Sequence, residues 1–261
     1  MNKICSLKPL TWGGGERNLQ FQNHNDFKAF TLAEVLITLV IIGVVAAITV
    51  PVIIANANAE AKLEKIKKSY SAFSQGIMRS RIDNGPIDEW YEMADKNANK
   101  YYSMFFKQYF NVLKTCSDYQ SCGYKTVTPW KHLNGNTFEW WISNDISRFF
   151  FYLGDGQFAA IKTGSYGDCL KYDDNGKCLQ SGLKYDTEPS IIIDVNGPKP
   201  PNIIGKDVFL MQFSEDKGVL PYCYTYTDAQ VQGNCKKNSS GMCCLKMLMG
   251  NGWIYPEKYP K

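Results

Sequence analysis

The strongest constraint in this sequence of 261 residues is one apolar stretch near its start, from Phe30 to Ala55. It holds a single charged residue, Glu34, and the 21 residues from Val35 to Ala55 hold none. A helix of that length is about 32 Å long, because each residue adds about 1.5 Å. The hydrocarbon core of a bilayer is about 30 Å thick. The stretch therefore predicts a membrane-spanning helix, and on its apolar character alone it reads as a plain signal anchor.

Glu34 makes this helix unusual. A carboxylate costs about 2.5–3.5 kcal/mol at the centre of a membrane helix and less near its ends, so its presence there indicates a function. Glu34 is the fifth residue of a segment that opens on Phe30, directly after Ala29, and Gly43 and Pro51 follow. Over residues 28–55 the chain resembles the type IV prepilin family, which includes type IV pilins and the pseudopilins of type II secretion systems.

The resemblance implies a processed protein. Prepilin peptidase is expected to cut between Ala29 and Phe30 and to methylate the new amino group. Glu34 is expected to neutralise the amino group of Phe30 on a neighbouring subunit, and Gly43 and Pro51 to loosen the helix. The implied function is a structural subunit of a pilus or pseudopilus. Its implied partners are other pilin-like subunits in a homo- or hetero-polymer, the peptidase, an inner-membrane assembly platform and the lipid bilayer.

Beyond Pro51 the sequence predicts that the helix continues. Apolar residues recur at intervals of three and four, which places them on one helix face; they are Leu63, Ile66, Tyr70, Phe73 and Ile77. The opposite face carries Glu60, Lys62, Glu64, Lys65, Lys67 and Lys68. Asp83-Asn84-Gly85-Pro86 is a stop signal. We predict one helix over residues 30–82, transmembrane in 30–55, after a leader of residues 1–29.

The remaining residues, 83–261, are expected to form one globular head. Residues 88–114 read as helical, with an aromatic face. Four later runs are rich in aromatic and β-branched residues and predict strands: 149–153, 158–161, 190–195 and 208–213. Hairpin turns are expected at Gly154-Asp155-Gly156 and Asn175-Gly176. The predicted fold class is α+β, a long N-terminal helix packed on an antiparallel sheet of about four strands.

The cysteines indicate disulfides. Of nine, Cys5 lies in the leader, and removal of the leader leaves an even number; they are Cys116, Cys122, Cys169, Cys178, Cys223, Cys235, Cys243 and Cys244. Their spacing lacks the close pairs that zinc sites use. Adjacent side chains of a strand point to opposite faces, so Cys243 and Cys244 need different partners. One hypothesis pairs 116 with 122 and 169 with 178, which leaves 223 and 235 for them.

Two signals disagree about the orientation in the membrane. The lysines after the span, if counted naively, would keep the C-terminal side in the cytoplasm. The cysteines and the cleavage motif favour the opposite, because disulfides persist in oxidising compartments. We follow the second signal, since a lysine face on a long helix has its own explanation. The predicted location is the bacterial inner membrane, single-pass, with an extracytoplasmic head.

Catalytic chemistry finds little support. His132 is the one histidine outside the leader, and no GxSxG, P-loop or Rossmann glycine pattern occurs. We therefore predict no enzyme and no resident cofactor, with calcium as a weak candidate because it binds Asp, Asn and carbonyl oxygens. Two turns have that composition: residues 173–176 and residues 194–197 with Asp207. The net charge of +4 does not indicate a nucleic-acid surface.

Three alternatives stay open at this point. The chain is compatible with a minor pilin or pseudopilin that primes or tips a filament. It is also compatible with an uncleaved bitopic protein that presents a binding head and keeps residues 1–29. A cysteine hydrolase with His132 as its base is the most distant alternative.

Overall fold

The structure is a computed structural model, and it describes residues 30–139, 147–163, 169–172, 174, 178–181 and 189–260. The chain divides after Pro51 into two compact units, Met1–Pro51 and Val52–Lys261. The first helix, α1, runs from Leu32 to Asn84 and contributes to both. Its bounds lie within two residues of those expected from the sequence. The predicted leader, residues 1–29, lies outside the described residues.

In the second unit, α1 buries the face that the sequence predicts. Leu63, Ile66, Phe73 and Ile77 are buried, and Tyr70 is half-buried. Ser69, Gly76 and Ser80 are buried on the same face, where small residues allow close packing. The helix ends at Asn84 because Gly85 takes a left-handed backbone conformation, with φ +83°.

Residues 88–114 form shorter elements than the single helix expected there. After a 3₁₀ turn at Ile87–Glu89 come α2, Trp90–Met93, and α3, Ala98–Phe105. Asp95 and Lys96 between them have positive φ angles, which interrupt a right-handed helix. The side chain of Asn97 then caps α3 by accepting a hydrogen bond from the Lys100 N–H at 3.0 Å. Most of the aromatic residues are buried as expected, but the helical stretch ends at Phe105, and residues 112–114 belong to a strand.

The sheet is antiparallel throughout, and its strand order is β1-β2-β3-β6-β7-β8. The six strands are β1 Val112–Cys116, β2 Arg148–Leu153, β3 Phe158–Lys162, β6 Ile191–Asp194, β7 Val208–Ser214 and β8 Gly218–Pro221. A separate hairpin pairs β4, Cys169–Tyr172, with β5, Cys178–Ser181. The four strands expected from the sequence are β2, β3, β6 and β7, and two outer strands complete the sheet. The α+β fold class is therefore confirmed.

Both faces of the sheet are covered, which explains why its strands read as continuous apolar runs. One face packs on α1, α2 and α3, with Phe149, Phe151 and Phe209 among its contacts. The other face packs on the segment between β1 and β2, which supplies Tyr119, Tyr124, Trp130 and Phe138. A strand that is buried on both sides has no reason to alternate apolar with polar residues.

Two short helices follow the sheet. Helix α4, Asp228–Asn234, begins with a capping box between Thr227 and Gln230. Helix α5, Cys244–Gly250, buries Leu245 and Leu248 in the same core as α1. The turn expected at Gly154-Asp155-Gly156 does join β2 to β3, whereas the one expected at Asn175-Gly176 lies outside the described residues.

Candidate functional site

The first turn of α1 holds Glu34 in a local network with Thr31. The Thr31 backbone N–H and hydroxyl both donate to Glu34 Oε2, at 2.8 and 2.9 Å. In return, the Glu34 N–H donates to Thr31 Oγ1 at 3.2 Å. This reciprocal pattern is a capping box, which satisfies backbone donors that a helix N-terminus otherwise leaves unpaired. The role of Thr31 was missed from the sequence, although Thr-x-x-Glu before an apolar run is its signature.

The expected cleavage point adjoins this turn. Phe30 is 82% exposed, and Ala29 lies outside the described residues. Thr31 would be the second residue of a chain that begins at Phe30. Because the capping box uses only residues after the cleavage point, it is compatible with both the full chain and the processed chain.

The apolar front of α1 is exposed in the described chain. Every residue from 30 to 51 is exposed except Ala46, which is half-buried. Among the described residues, α1 is the one helix long and apolar enough to cross a membrane. Its polar groups suit that environment, because Thr38 and Thr49 donate their hydroxyls to the carbonyls of Val35 and Val45, both at 2.9 Å.

Gly43 and Pro51 lie within continuous helix. A Cβ added at Gly43 would have no described atom within 4 Å, so packing inside this chain does not require glycine there. Pro51 is inside α1, where it lacks the N–H that would bond to the carbonyl four residues back. The division between the two compact units falls directly after Pro51.

Farther along α1, polar side chains form hydrogen bonds and a salt bridge with the sheet and its connecting turns. Ser69 Oγ donates to Gln157 Oε1 at 2.7 Å, and Gln157 Nε2 donates to Asp155 Oδ2 at 2.8 Å. Lys68 forms a salt bridge with the same Asp155 oxygen at 3.1 Å. Lys65 donates to the Val195 carbonyl at 3.2 Å. Lys65 and Lys68, on the face opposite the apolar stripe, therefore also contact the rest of the fold.

The six cysteine side chains that the structure describes form three disulfides. Cys116 is bonded to Cys122, Cys223 to Cys243, and Cys235 to Cys244. The adjacent Cys243 and Cys244 thus reach two different partners. Cys169 pairs in register with Ser181, and Cys178 pairs with Tyr172, at opposite ends of the β4–β5 pair. Their side chains lie outside the described residues.

The second candidate calcium turn does not fit a cation. Asp194 is fully buried, and its Oδ2 accepts hydrogen bonds from the Tyr124 hydroxyl at 2.8 Å and Trp130 Nε1 at 3.1 Å. Asp207 accepts from the backbone N–H groups of Asn202 and Ile203, at 2.9 and 2.7 Å. Protein donors, rather than an ion, satisfy these carboxylates. In the first turn, Asp174 is exposed, and residues 173 and 175–177 lie outside the described residues.

The same packing shifts the pKa of both carboxyl groups upward. Burial raises the pKa of Asp194 well above its ordinary range, and the nearby charge of Asp207 adds to the effect. Burial also raises the pKa of Asp207, although the two backbone donors and Lys62 oppose the shift. Asp194 therefore holds the segment before β2 on the sheet, and Asp207 holds the turn of residues 202–207 that precedes β7.

His132 has a structural environment. Its Nδ1 lies 2.9 Å from the Ser240 carbonyl oxygen, which only accepts hydrogen bonds, so Nδ1 carries the proton. Its ring meets Phe138 edge-on, with the centroids 5.3 Å apart. Every cysteine side chain that the structure describes is in a disulfide, so none of them is a free thiolate for His132 to activate.

Comparison with known proteins gives one match. The model of the prokaryotic N-terminal methylation motif matches residues 24–50. No curated protein and no solved structure matches the chain. The matched residues include Ala29, Phe30, Glu34 and Gly43. An exposed apolar helix with a capped N-terminus follows the expected cleavage point, as a membrane-anchored pilin requires. The chain therefore carries, at its N-terminus, the methylation motif that is the signature of type IV pilins and pseudopilins.

Proposed function

We propose that this chain is a structural subunit of a type IV pilus or a type II secretion pseudopilus. In this proposal prepilin peptidase removes residues 1–29 and methylates Phe30. The product has a helix of residues 30–82, transmembrane in 30–55, and an extracytoplasmic head of residues 83–261. The observation that carries the proposal is the position of Glu34, which lies within the methylation motif and in the first turn of an exposed apolar helix.

The capping box supports a charge-pairing role for Glu34. Both of its hydrogen bonds from Thr31 go to Oε2, and a carboxylate has a second acceptor oxygen. The cap holds the carboxylate at the start of the helix, beside the site of the new amino group. Between packed apolar helices an unpaired carboxylate is costly, and a neighbour's amino group offsets that cost. Glu34 would then cap its own helix and also pair with the amino group of a neighbouring subunit in the filament.

The disulfides support the proposed location. Three disulfides within residues 116–244 suit an oxidising compartment, which in bacteria lies outside the cytoplasm. Before assembly, the subunit would remain in the inner membrane with this head on the extracytoplasmic side. Its work would be mechanical, with other pilin-like subunits and an inner-membrane assembly platform as partners.

The first test is intact-mass and N-terminal peptide analysis of the protein from membranes of cells that contain prepilin peptidase. The proposal expects a chain that begins at N-methylated Phe30. A chain that still begins at Met1 would contradict it and would identify an uncleaved membrane protein with an extracytoplasmic head.

The second test separates two features of Glu34 that could matter for assembly, its negative charge and its part in the capping box. Glu34→Gln keeps a side chain that suits a capping box but loses the charge, whereas Glu34→Ala loses both. Thr31→Ala loses the cap, worth about 1 kcal/mol, and keeps the charge. We expect all three variants to insert in the membrane, and only Thr31→Ala to yield filaments in sheared fractions. Wild-type filament yield from Glu34→Gln would show that the charge is dispensable.

A further inference from the structure

The loop after α5 lies against α1 close to the end of the apolar stretch. The Tyr255 hydroxyl donates to the Ala59 carbonyl at 2.9 Å, and the rings of Trp253 and Tyr70 have centroids 5.9 Å apart. A cleft of about 460 Å³ separates this loop from the helix and is lined by Asn56, Ala59, Glu60, Leu63, Glu64, Trp253, Ile254 and Tyr255. Loop and helix belong to the same compact unit, Val52–Lys261.

The loop presents apolar and aromatic residues to the surface. Ile254 is 65% exposed, and Trp253 and Tyr255 are half-buried. Trp253 has a φ of +61°, which is rare for a bulky residue and is held by hydrogen bonds on both sides of it. The Trp253 N–H donates to the Leu248 carbonyl, and Asn251 Nδ2 donates to the Ile254 carbonyl, both at 2.8 Å. The loop is thus built to hold an exposed isoleucine between two amphipathic aromatic residues.

The depth of this loop follows from helix geometry. Ala59 is four residues beyond Ala55, the last residue of the apolar stretch, so it lies about 6 Å farther along the axis. The headgroup layer on each side of a bilayer is about 5–8 Å thick. Val52, Ile53 and Ile54, in the same compact unit, are exposed and apolar, as lipid contact requires. Tyr255 therefore meets the helix at headgroup depth.

We propose that Trp253, Ile254 and Tyr255 dock on the extracytoplasmic headgroup layer of the bilayer while the subunit waits in the membrane. Tryptophan and tyrosine favour that layer because their rings combine an apolar body with a hydrogen-bond donor. The Tyr255 hydroxyl already donates to the Ala59 carbonyl, so this residue contributes its ring to the contact. Docking here would fix the head against the membrane before assembly. The inference rests on the membrane stage of the proposed function.

The contact is apolar and aromatic rather than ionic. Glu60 and Glu64 line the cleft beside the loop, and Glu257 follows it, so the exposed Lys258 does not make this surface basic. An uncharged lipid such as phosphatidylcholine therefore suffices as the partner. Addition of anionic lipid is expected to leave docking unchanged, and a requirement for anionic lipid would overturn this mode of contact.

The test measures the depth of Trp253 in a bilayer. The full chain is placed in phosphatidylcholine nanodiscs at one subunit per disc, with lipids brominated near the headgroup end of the acyl chain. We expect the brominated lipid to quench tryptophan emission, and the quenched fraction to fall about twofold or more in Trp253→Phe, because interfacial tryptophans lie at that depth. Trp90 and Trp130 are fully buried in the fold. The other three tryptophans, Trp12, Trp140 and Trp141, are replaced by phenylalanine in both the reference protein and the Trp253→Phe variant. Equal quenching of wild type and Trp253→Phe would overturn the proposal.

A matched pair of variants tests the exposed isoleucine. Ile254→Ser is expected to reduce quenching of Trp253, because it removes the apolar side chain that enters the lipid. Leu113→Ser is the control, since Leu113 is equally exposed, at 68% against 65%. Leu113 lies close in sequence to Phe110, which contacts Gly76, about 25 Å farther along α1 than Ala59. Equal loss of quenching in both variants would contradict docking by this loop.

Failure of docking is distinguishable from failure of the membrane stage. A chain that does not co-elute with nanodiscs is not inserted, which would contradict the proposed function and this inference together. A chain that co-elutes, but whose quenching does not depend on Trp253, would contradict the docking alone.

Discussion

At the scale of single residues, Asp194 is the clearest case of an ionisable group held in an apolar core. Burial raises the pKa of this carboxyl, so the native state binds its proton more tightly than the unfolded chain does. The free energy of unfolding should therefore fall as the pH rises from about 4, the ordinary pKa of aspartate, through the native pKa. Asp194→Asn does not ionise, and we expect it to flatten that pH dependence.

The measurement is urea unfolding of the full chain in detergent, between about pH 4 and 7. The slope is expected to decrease rather than vanish, because the pKa of Asp207 is raised as well and contributes with the same sign. Asp216→Asn is the control, since it makes the same change of charge in an exposed turn. If Asp194→Asn kept the wild-type slope, Asp194 would not be the source of the pH dependence.

Residue-level reasoning from sequence succeeded where the signal is local. Glu34 stood out because a charge in an apolar helix is costly, and this needs no knowledge of the fold. The partners of Asp194 were beyond such reasoning, because Tyr124 and Trp130 lie 70 and 64 residues away in the chain. The acidic turn at 194–197 was therefore taken for a calcium candidate, although long-range donors satisfy its aspartate.

At the scale of elements, Gly76 determines how closely α1 approaches the rest of the fold. A Cβ at this position would lie 2.6 Å from the ring of Phe110, which packs among Phe73, Phe106 and Phe151 and has little room to move. Alanine normally stabilises a helix relative to glycine by about 1 kcal/mol. Here overpacking costs about 1–3 kcal/mol, so we expect Gly76→Ala to destabilise the protein.

Gly233→Ala is the control for this prediction. Gly233 lies in α4, and a Cβ there would have no described atom within 4 Å. This variant is expected to raise the free energy of unfolding by about 0.5–1 kcal/mol. Thermal unfolding of the two variants should thus show shifts of opposite sign. A stabilising effect of Gly76→Ala would mean that the helix and Phe110 are not in close contact.

Four strands whose residues are mostly buried could be predicted from the sequence, whereas a strand with mostly exposed residues could not. The strands β2, β3, β6 and β7 were found from sequence because their residues are almost all buried and apolar. The outer strand β1 was missed because three of its five residues are exposed, so no apolar run marks it. The break between α2 and α3 was missed because Asp95 and Lys96 adopt left-handed conformations without a glycine to signal them.

At the scale of the whole molecule, the C-terminal segment contacts both the sheet side of the fold and the first helix. Tyr259 donates to the Gly205 carbonyl at 2.6 Å, beside β7, and Tyr255 reaches Ala59 on α1. Burial raises the pKa of Tyr255 to about 12, so its hydroxyl stays a donor at neutral pH. Helix α5 directly precedes this segment, and its Leu248 carbonyl accepts a hydrogen bond from the Trp253 N–H. A disulfide bonds Cys244 of α5 to Cys235. The segment that contacts the first helix is thus held in place by α5.

This arrangement predicts that removal of the Cys235–Cys244 disulfide destabilises α1 around Ala59 as well as α5. In Cys235→Ala/Cys244→Ala we expect the free energy of unfolding to fall by about 2–5 kcal/mol, as for other native disulfides. We also expect faster hydrogen exchange in α5 and in α1 around Ala59, because α5 positions the loop that contacts it. The control, Cys116→Ala/Cys122→Ala, opens a loop of similar length, and its faster exchange should stay near residues 116–124. If hydrogen exchange around Ala59 were unchanged in Cys235→Ala/Cys244→Ala, the Tyr255 contact would form independently of the disulfide. The C-terminal segment would then stabilise α1 only locally, without help from α5.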